Sequence, residues 1–188
     1  MELSRKQFDV LEILAGQKEP LRQRQLEGFT DYSLGTVNRV YNELVNWGFV
    51  SDGIITPEGL EALEPYRVKR AVFIAAGFGT RLMPVTLNTP KPLVRVNGKR
   101  IIDGLIDACI GIGIQDIVIV RGYLAEQFDQ LLYKYPMLKF IENSAYNEAN
   151  NISSAMCARF LLANSYVFEA DLLLNNPKII KKYHYSSN

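Results

Sequence analysis

Apolar residues recur at helical spacing in the first third of the chain and in unbroken runs through the rest. Phe8, Leu11, Ile13, Leu14 and Ala15 follow Ser4, which predicts a helix capped by Ser4 and stopped by Gly16. A short helix is expected over Leu21–Gly28. A third opens at Ser33, with Leu34, Val37, Tyr41, Leu44 and Val45 on one face and Gly48 at its end. Two β-rich runs then flank Asp52-Gly53, a hairpin signal, and Thr56-Pro57 opens another helix. From Ala71 the pattern changes to strand, loop and helix in alternation. Strands are predicted at Ala71–Ala75, Asp116–Val120, Lys139–Glu142 and Tyr166–Ala170. Helices are predicted at Ile102–Ile112, Leu124–Tyr135 and Ile152–Leu162, and an Asn97-Gly98 turn separates two extended pieces. VFIAA and IVIV are apolar without alternation, as in strands covered on both faces of a parallel sheet. The class is α/β, a Rossmann-like, mostly parallel sheet.

Charge divides the chain in the same place. Residues 1–65 hold six basic and eleven acidic side chains, so they carry −5, and the remainder carries +6. Two domains are expected, 1–65 and 71–188, joined by a linker at 66–70. Three helices followed by a hairpin resemble a winged helix-turn-helix. That resemblance puts Ser33, Thr36, Asn38, Arg39 and Asn42 on the outer face of a recognition helix. DNA binding is one reading of that face. The acidic balance weighs against it, because phosphate neutralisation carries such binding, and favours protein contact, dimerisation or regulation.

No apolar run approaches the roughly 20 residues of a bilayer span, and the N-terminus lacks a signal-peptide core, so a cytoplasmic protein without membrane insertion is expected. Cys109 and Cys157 lie in apolar surroundings and read as buried free thiols. The single histidine, His184, removes Ser-His-Asp and His-rich zinc chemistry. It falls in KIIKKYH, read as a helix surface.

The chemistry concentrates in AAGFGTRLMPVTLNTPKPL, residues 75–93. A glycine-rich loop after a first strand sits at the carboxyl edge of such a sheet. Gly77 and Gly79 permit close backbone approach to a ligand, and Arg81 is a permanent fork for phosphate oxygens. Three prolines stiffen the span, and Lys91, between Pro90 and Pro92, is expected to be held extended. The span contains no G-x-x-x-x-G-K-[ST] and no third glycine of G-x-G-x-x-G, which sets aside the P-loop and dinucleotide readings.

Ala75–Leu93 resembles the signature of the sugar-phosphate nucleotidyltransferase superfamily, A-A-G-x-G-T-R-L-x-P-x-T-x-x-x-P-K-P-L, at nearly every position. The resemblance implies nucleoside triphosphate binding by Ala75, Ala76, Gly77, Gly79, Thr80 and Arg81, with Lys91 and Arg81 acting on the phosphates. Gly122–Phe128, Asn150–Ser154 and Ala163–Asp171 are similar to runs in bacterial CTP:phosphocholine cytidylyltransferases. That likeness implies CTP or another NTP and phosphocholine or a related phosphorylated small molecule as substrates. It implies Mg²⁺ on Asp171 as cofactor, and acceptor contacts from Asn143, Tyr146, Asn151 and Ser154. The family's second metal aspartate and later strands find no counterpart after Asp171, so a C-terminally truncated chain is expected. Rival readings are a sugar-1-phosphate nucleotidylyltransferase using UTP or dTTP, a nucleotide-sensing DNA-binding regulator, and an N-terminal module that forms a homodimer.

Overall fold

The structure, a computed structural model, describes residues 2–147 and 151–185. It divides into two compact units, Met1–Arg67 with Tyr183–Asn188, and Val68–Lys182.

In the first unit, α1 (Arg5–Ala15) begins at Ser4. The Ser4 hydroxyl accepts the Gln7 N–H, and the Gln7 side chain accepts the Ser4 N–H at 2.9 Å. This reciprocal cap satisfies two orphan donors of the first turn. After α2 (Gln23–Glu27), Ser33 caps α3 (Leu34–Asn46). The ridge that α3 buries is Val37, Val40 and Leu44. Val45, expected inside, faces outward, because the core lies along the i, i+3, i+7 line. Strands β1 (Val50–Ser51) and β2 (Ile54–Ile55) pair antiparallel around Asp52-Gly53, and α4 (Pro57–Leu63) starts with Thr56 as its cap. Phe8, Val10, Leu11, Leu14, Leu26 and Leu63 complete the core with that ridge.

The end of the chain enters this unit, and no local pattern announces it. Arg67 and Tyr183 form an antiparallel bridge, and the His184 N–H donates to the Tyr66 carbonyl at 2.8 Å. Tyr185 stacks on Tyr66 (centroids 5.5 Å apart) and lies 5.4 Å from Phe8, with the Arg5 guanidinium over its ring. The helix expected over KIIKKYH is reduced to one 3₁₀ turn, Pro177–Ile179. Ile180 is drawn into a core and the Lys182 carbonyl accepts the Val68 N–H, so the backbone is committed elsewhere.

The second unit is built on β3 (Arg70–Ala75). A two-stranded ribbon, β4 (Arg95–Val96) and β5 (Lys99–Arg100), and α5 (Ile101–Gly111) precede β6 (Asp116–Arg121). Then come β7 (Lys139–Glu142), α6 (Asn151–Cys157) and β8 (Ser165–Glu169). The main sheet runs β7-β6-β3-β8, every pair parallel. Taken in chain order its strands lie 3-2-1-4, which places a topological switch point between β3 and β8. Alternation along β3 sends Ala71, Phe73 and Ala75 to one face, into a core with Ile102, Leu105, Ile106 and Cys109. It sends Val72 and Ile74 to the other, against Ala158, Leu161 and Leu162. The helix expected over Leu124–Tyr135 is a 3₁₀ stretch, Ala125–Tyr133. Its buried pair Phe128 and Leu131, three apart, forms the eclipsed ridge of that geometry. The helix at Ile152–Leu162 breaks into α6 and a 3₁₀ turn, Arg159–Leu161. Among the described residues no helix is long and apolar enough to cross a membrane.

Cys109 is buried as expected, and burial pushes its thiol up to about 12, whereas Cys157 stands exposed on α6. In the folded protein a thiol reagent at pH 8 is therefore expected to modify Cys157 alone, and a second thiol should appear only in denaturant. Two fast thiols in the native protein would contradict the packing of α5. Phe73→Ala, which empties a fully buried site in the central strand, is expected to cost about 3–5 kcal/mol in denaturant unfolding.

Candidate active site

The loop after β3 closes on itself through one residue. Gly79 takes a left-handed conformation, φ 63° and ψ 32°. A Cβ there would stand 3.1 Å from Thr86 Cγ2 and 3.2 Å from Lys91 Cβ, so glycine is required for space as well as for torsion. The Gly79 carbonyl accepts the Thr86 hydroxyl at 2.9 Å, and Thr86 is buried. Three 3₁₀ turns, Thr80–Leu82, Val85–Leu87 and Lys91–Leu93, take up the proline-rich span. Lys91 is therefore not extended. The Leu93 N–H donates to the Pro90 carbonyl and closes a turn around it. The outer arm is tied down from outside: Tyr123 Oη donates to the Leu87 carbonyl at 2.8 Å, and Gln127 Nε2 donates to the Asn88 carbonyl at 2.8 Å.

With the loop folded this way, the Lys91 ammonium meets the Asp171 carboxylate. Asp171 follows β8 by two residues, and the intervening Ala170 N–H extends the pairing to the Ile74 carbonyl at 3.0 Å. A cleft at the switch point is lined by Ile74, Ala75, Gly77, Gly79, Lys91, Pro92, Glu169 and Asp171. Five residues expected from the sequence thus converge: Ala75, Gly77, Gly79, Lys91 and Asp171. Ala76 is buried beneath the loop, its carbonyl accepting the Tyr123 N–H. Thr80 and Arg81 stand exposed on the first turn of the loop and do not line the cleft. No carboxylate among the described residues pairs with the Arg81 guanidinium, which leaves its fork available to an anion.

The acceptor residues are placed differently. Asn143 and Ser154 are 2% and 3% exposed. Asn143 Nδ2 donates to the Ser153 and Ser154 hydroxyls at 3.0 Å each, and its carbonyl oxygen accepts the Ala145 N–H. These groups are spent on one another, bracing the end of β7 against α6, because a buried amide must find its partners locally. Tyr146 is half-exposed, above Gly122. Asn150 lies outside the described residues, as does the side chain of Asn151, at which α6 begins.

Glu169 lines the cleft and Thr86 closes the loop behind it, and neither is among the residues expected from the sequence. Thr86 could have been found, since it is a fixed letter of the loop signature. Glu169 becomes visible only when β8 is laid beside β3. Oxygen donors of this kind suit a hard divalent cation. No cluster of three or more His, Cys, Asp or Glu side chains stands together among the described residues.

Comparison with known proteins agrees with this geometry. The Nucleotidyl transferase family matches residues 70–186. The 2-aminoethylphosphonate cytidylyltransferase of Lancefieldella rimae is 42% identical over 113 residues, covering 59% of this chain and 46% of that protein. The choline-phosphate cytidylyltransferase of Streptococcus pneumoniae is 48% identical over 102 residues, covering 54% of this chain and 44% of that protein. The solved structure of the CTP:phosphocholine cytidylyltransferase from Streptococcus pneumoniae superposes with a TM-score of 0.56 and 47% identity, over 59% of this chain and 48% of that one. The chain thus spans about half the length of the relatives it matches. The signature loop, the parallel sheet and the family match lead to one conclusion: this chain belongs to the nucleotidyl transferase family.

Proposed function

We propose that the intact protein transfers a cytidylyl group from CTP to phosphocholine or a closely related phosphorylated amino alcohol, releasing pyrophosphate. The observation that carries this reading is the convergence of Gly79, Lys91 and Asp171 at the switch point between β3 and β8. Two relatives support the acceptor class. Their names, a choline-phosphate and a 2-aminoethylphosphonate cytidylyltransferase, pair a phosphorus acid with an amine.

In this reading the triphosphate lies along the loop, with backbone N–H groups near Gly79 and the Arg81 fork on its outer oxygens. A phosphate oxygen of the acceptor attacks the α-phosphorus in line, the bond to the bridging oxygen breaks, and that oxygen leaves with pyrophosphate. No side chain of the protein forms a covalent bond. Lys91 exchanges its Asp171 partner for phosphate oxygens and neutralises charge that develops in the transition state. Asp171, with Glu169 beside it, would hold Mg²⁺, which when bound supplies further neutralisation of the phosphates. We place the protein in the cytoplasm, where its nucleotide substrate is made.

The first unit is assigned here as a winged helix-turn-helix that contacts protein and not DNA. Arg39, the one cation on α3, is tied to Glu43 at 2.5 Å, and the unit is acidic. The chain is expected to leave duplex DNA unshifted in a gel at about 0.1 M salt. A specific shift would revive the regulator reading.

The first test of the reaction is calorimetry of this chain with each NTP in the presence of Mg²⁺. Selective CTP binding is expected, and preference for another NTP would move the assignment to sugar activation. In the intact protein, Lys91→Ala is expected to lower turnover by about 10²–10³-fold. Turnover near the unmodified rate would remove Lys91 from the reaction.

A further inference from the structure

Three aromatic rings stand together at the carboxyl edge of the sheet, and the reaction proposed above uses none of their faces. Phe78 occupies the variable position of the loop signature, between Gly77 and Gly79, and is 38% exposed. Its ring centroid lies 5.0 Å from that of Tyr123 and 5.2 Å from that of Tyr146, with the planes tilted by 47° and 53°. The rings come from the ends of three adjacent strands: Phe78 beyond β3, Tyr123 beyond β6 and Tyr146 beyond β7.

Each ring is held. Tyr123 is fixed at both ends, its N–H on the Ala76 carbonyl and its hydroxyl on the Leu87 carbonyl. Tyr146 lies directly over Gly122, where a Cβ would come within 2.6 Å of Tyr146 Cβ and 3.0 Å of Ala76 Cβ. Phe78 packs against both and is flanked by Gly77 and Gly79, which line the cleft of Lys91 and Asp171. An apolar ring kept partly in water, on a rigid support beside a phosphate-binding loop, is a feature that a flat ligand would cover.

We propose that Phe78, backed by Tyr123 and Tyr146, is a stacking platform for the base of the bound nucleotide. This rests on the reading of the loop as a nucleotide-binding element. Phe78 packs against both tyrosines and does not stand apart from them as a separate side of a cage. The group presents an aromatic wall, which suits a planar base better than a quaternary ammonium that needs rings on several sides. Every base has a π-face, so the platform contributes affinity for the nucleoside end of the ligand while Lys91 and Arg81 address the phosphates. Tyr123 has a second role as a positioning residue, since the hydroxyl that anchors the outer arm of the loop belongs to the ring that supports Phe78.

The test compares two ligands on the same protein, CTP and inorganic tripolyphosphate, by calorimetry with Mg²⁺ present. Phe78→Ala is expected to weaken CTP by about tenfold or more and to leave tripolyphosphate unchanged, because the latter has no base. Phe78→Tyr, which keeps the ring, should restore CTP affinity, and Phe78→Leu should restore it in part at most. Equal losses for both ligands would mean that the substitution distorts the loop, and would overturn the platform. Unchanged CTP affinity would overturn it as well. A loss confined to phosphocholine, measured in parallel, would also overturn it and give the wall to the acceptor. Failure of the unsubstituted chain to bind either CTP or tripolyphosphate would refute the nucleotide reading itself, an outcome distinct from all of these.

Discussion

The second unit depends on the way one carbonyl is held. Gly79 turns left-handed, and its carbonyl receives the hydroxyl of Thr86, seven residues on. Thr86 is buried, so leaving its hydroxyl unpaired would cost the desolvation of that group. The bond folds the loop back over the sheet and leaves no room for a side chain at Gly79, where Thr86 and Lys91 already stand. The return brings Lys91 over the end of β8, eighty residues away in sequence, and into contact with Asp171. A loop free of this closure would leave the lysine in solvent and the carboxylate without a cation.

Position in the sheet explains why the contact falls where it does. β3 is paired on both sides, with β6 and β8, and the chain changes direction across it. The connections leave the two strands on opposite sides at such a point, and a crevice opens there. Gly79, Lys91 and Asp171 gather in that crevice, and the rings of Phe78, Tyr123 and Tyr146 lie toward β6 and β7. One sheet edge thus carries a charged pair and an aromatic cluster side by side. The first unit obeys the same elementary physics with a different result. Its helices are capped by Ser4, Ser33 and Thr56, and its core is an aliphatic ridge that Tyr66 and Tyr185 close with aromatic contacts.

Much of this was legible in the linear chain, because it depends on interactions a few residues long. Helix caps, the Asp52-Gly53 and Asn97-Gly98 turns, the doubly buried strands and the identity of the signature loop all follow from residue type and spacing. The candidates Ala75, Gly77, Gly79, Lys91 and Asp171 were legible for the same reason, as fixed letters beside strand ends.

What the chain order could not decide is who satisfies whom. Asn143 and Ser154 look like ligand contacts in the sequence, yet each is the other's hydrogen-bond partner once β7 and α6 are packed. Cys157 looks buried among apolar neighbours but faces solvent, since the sheet face it would need is already taken by Ala158 and Leu161. The turn at Lys91, the 3₁₀ form of Ala125–Tyr133 and the entry of Tyr183–Tyr185 into the first core likewise belong to tertiary structure. Local propensity acts over one or two turns of chain, and it determined the elements, their order and the chemistry of the loop. The partners of buried polar groups and the exposure of each face depend on which distant elements meet, and only the packed fold chose them.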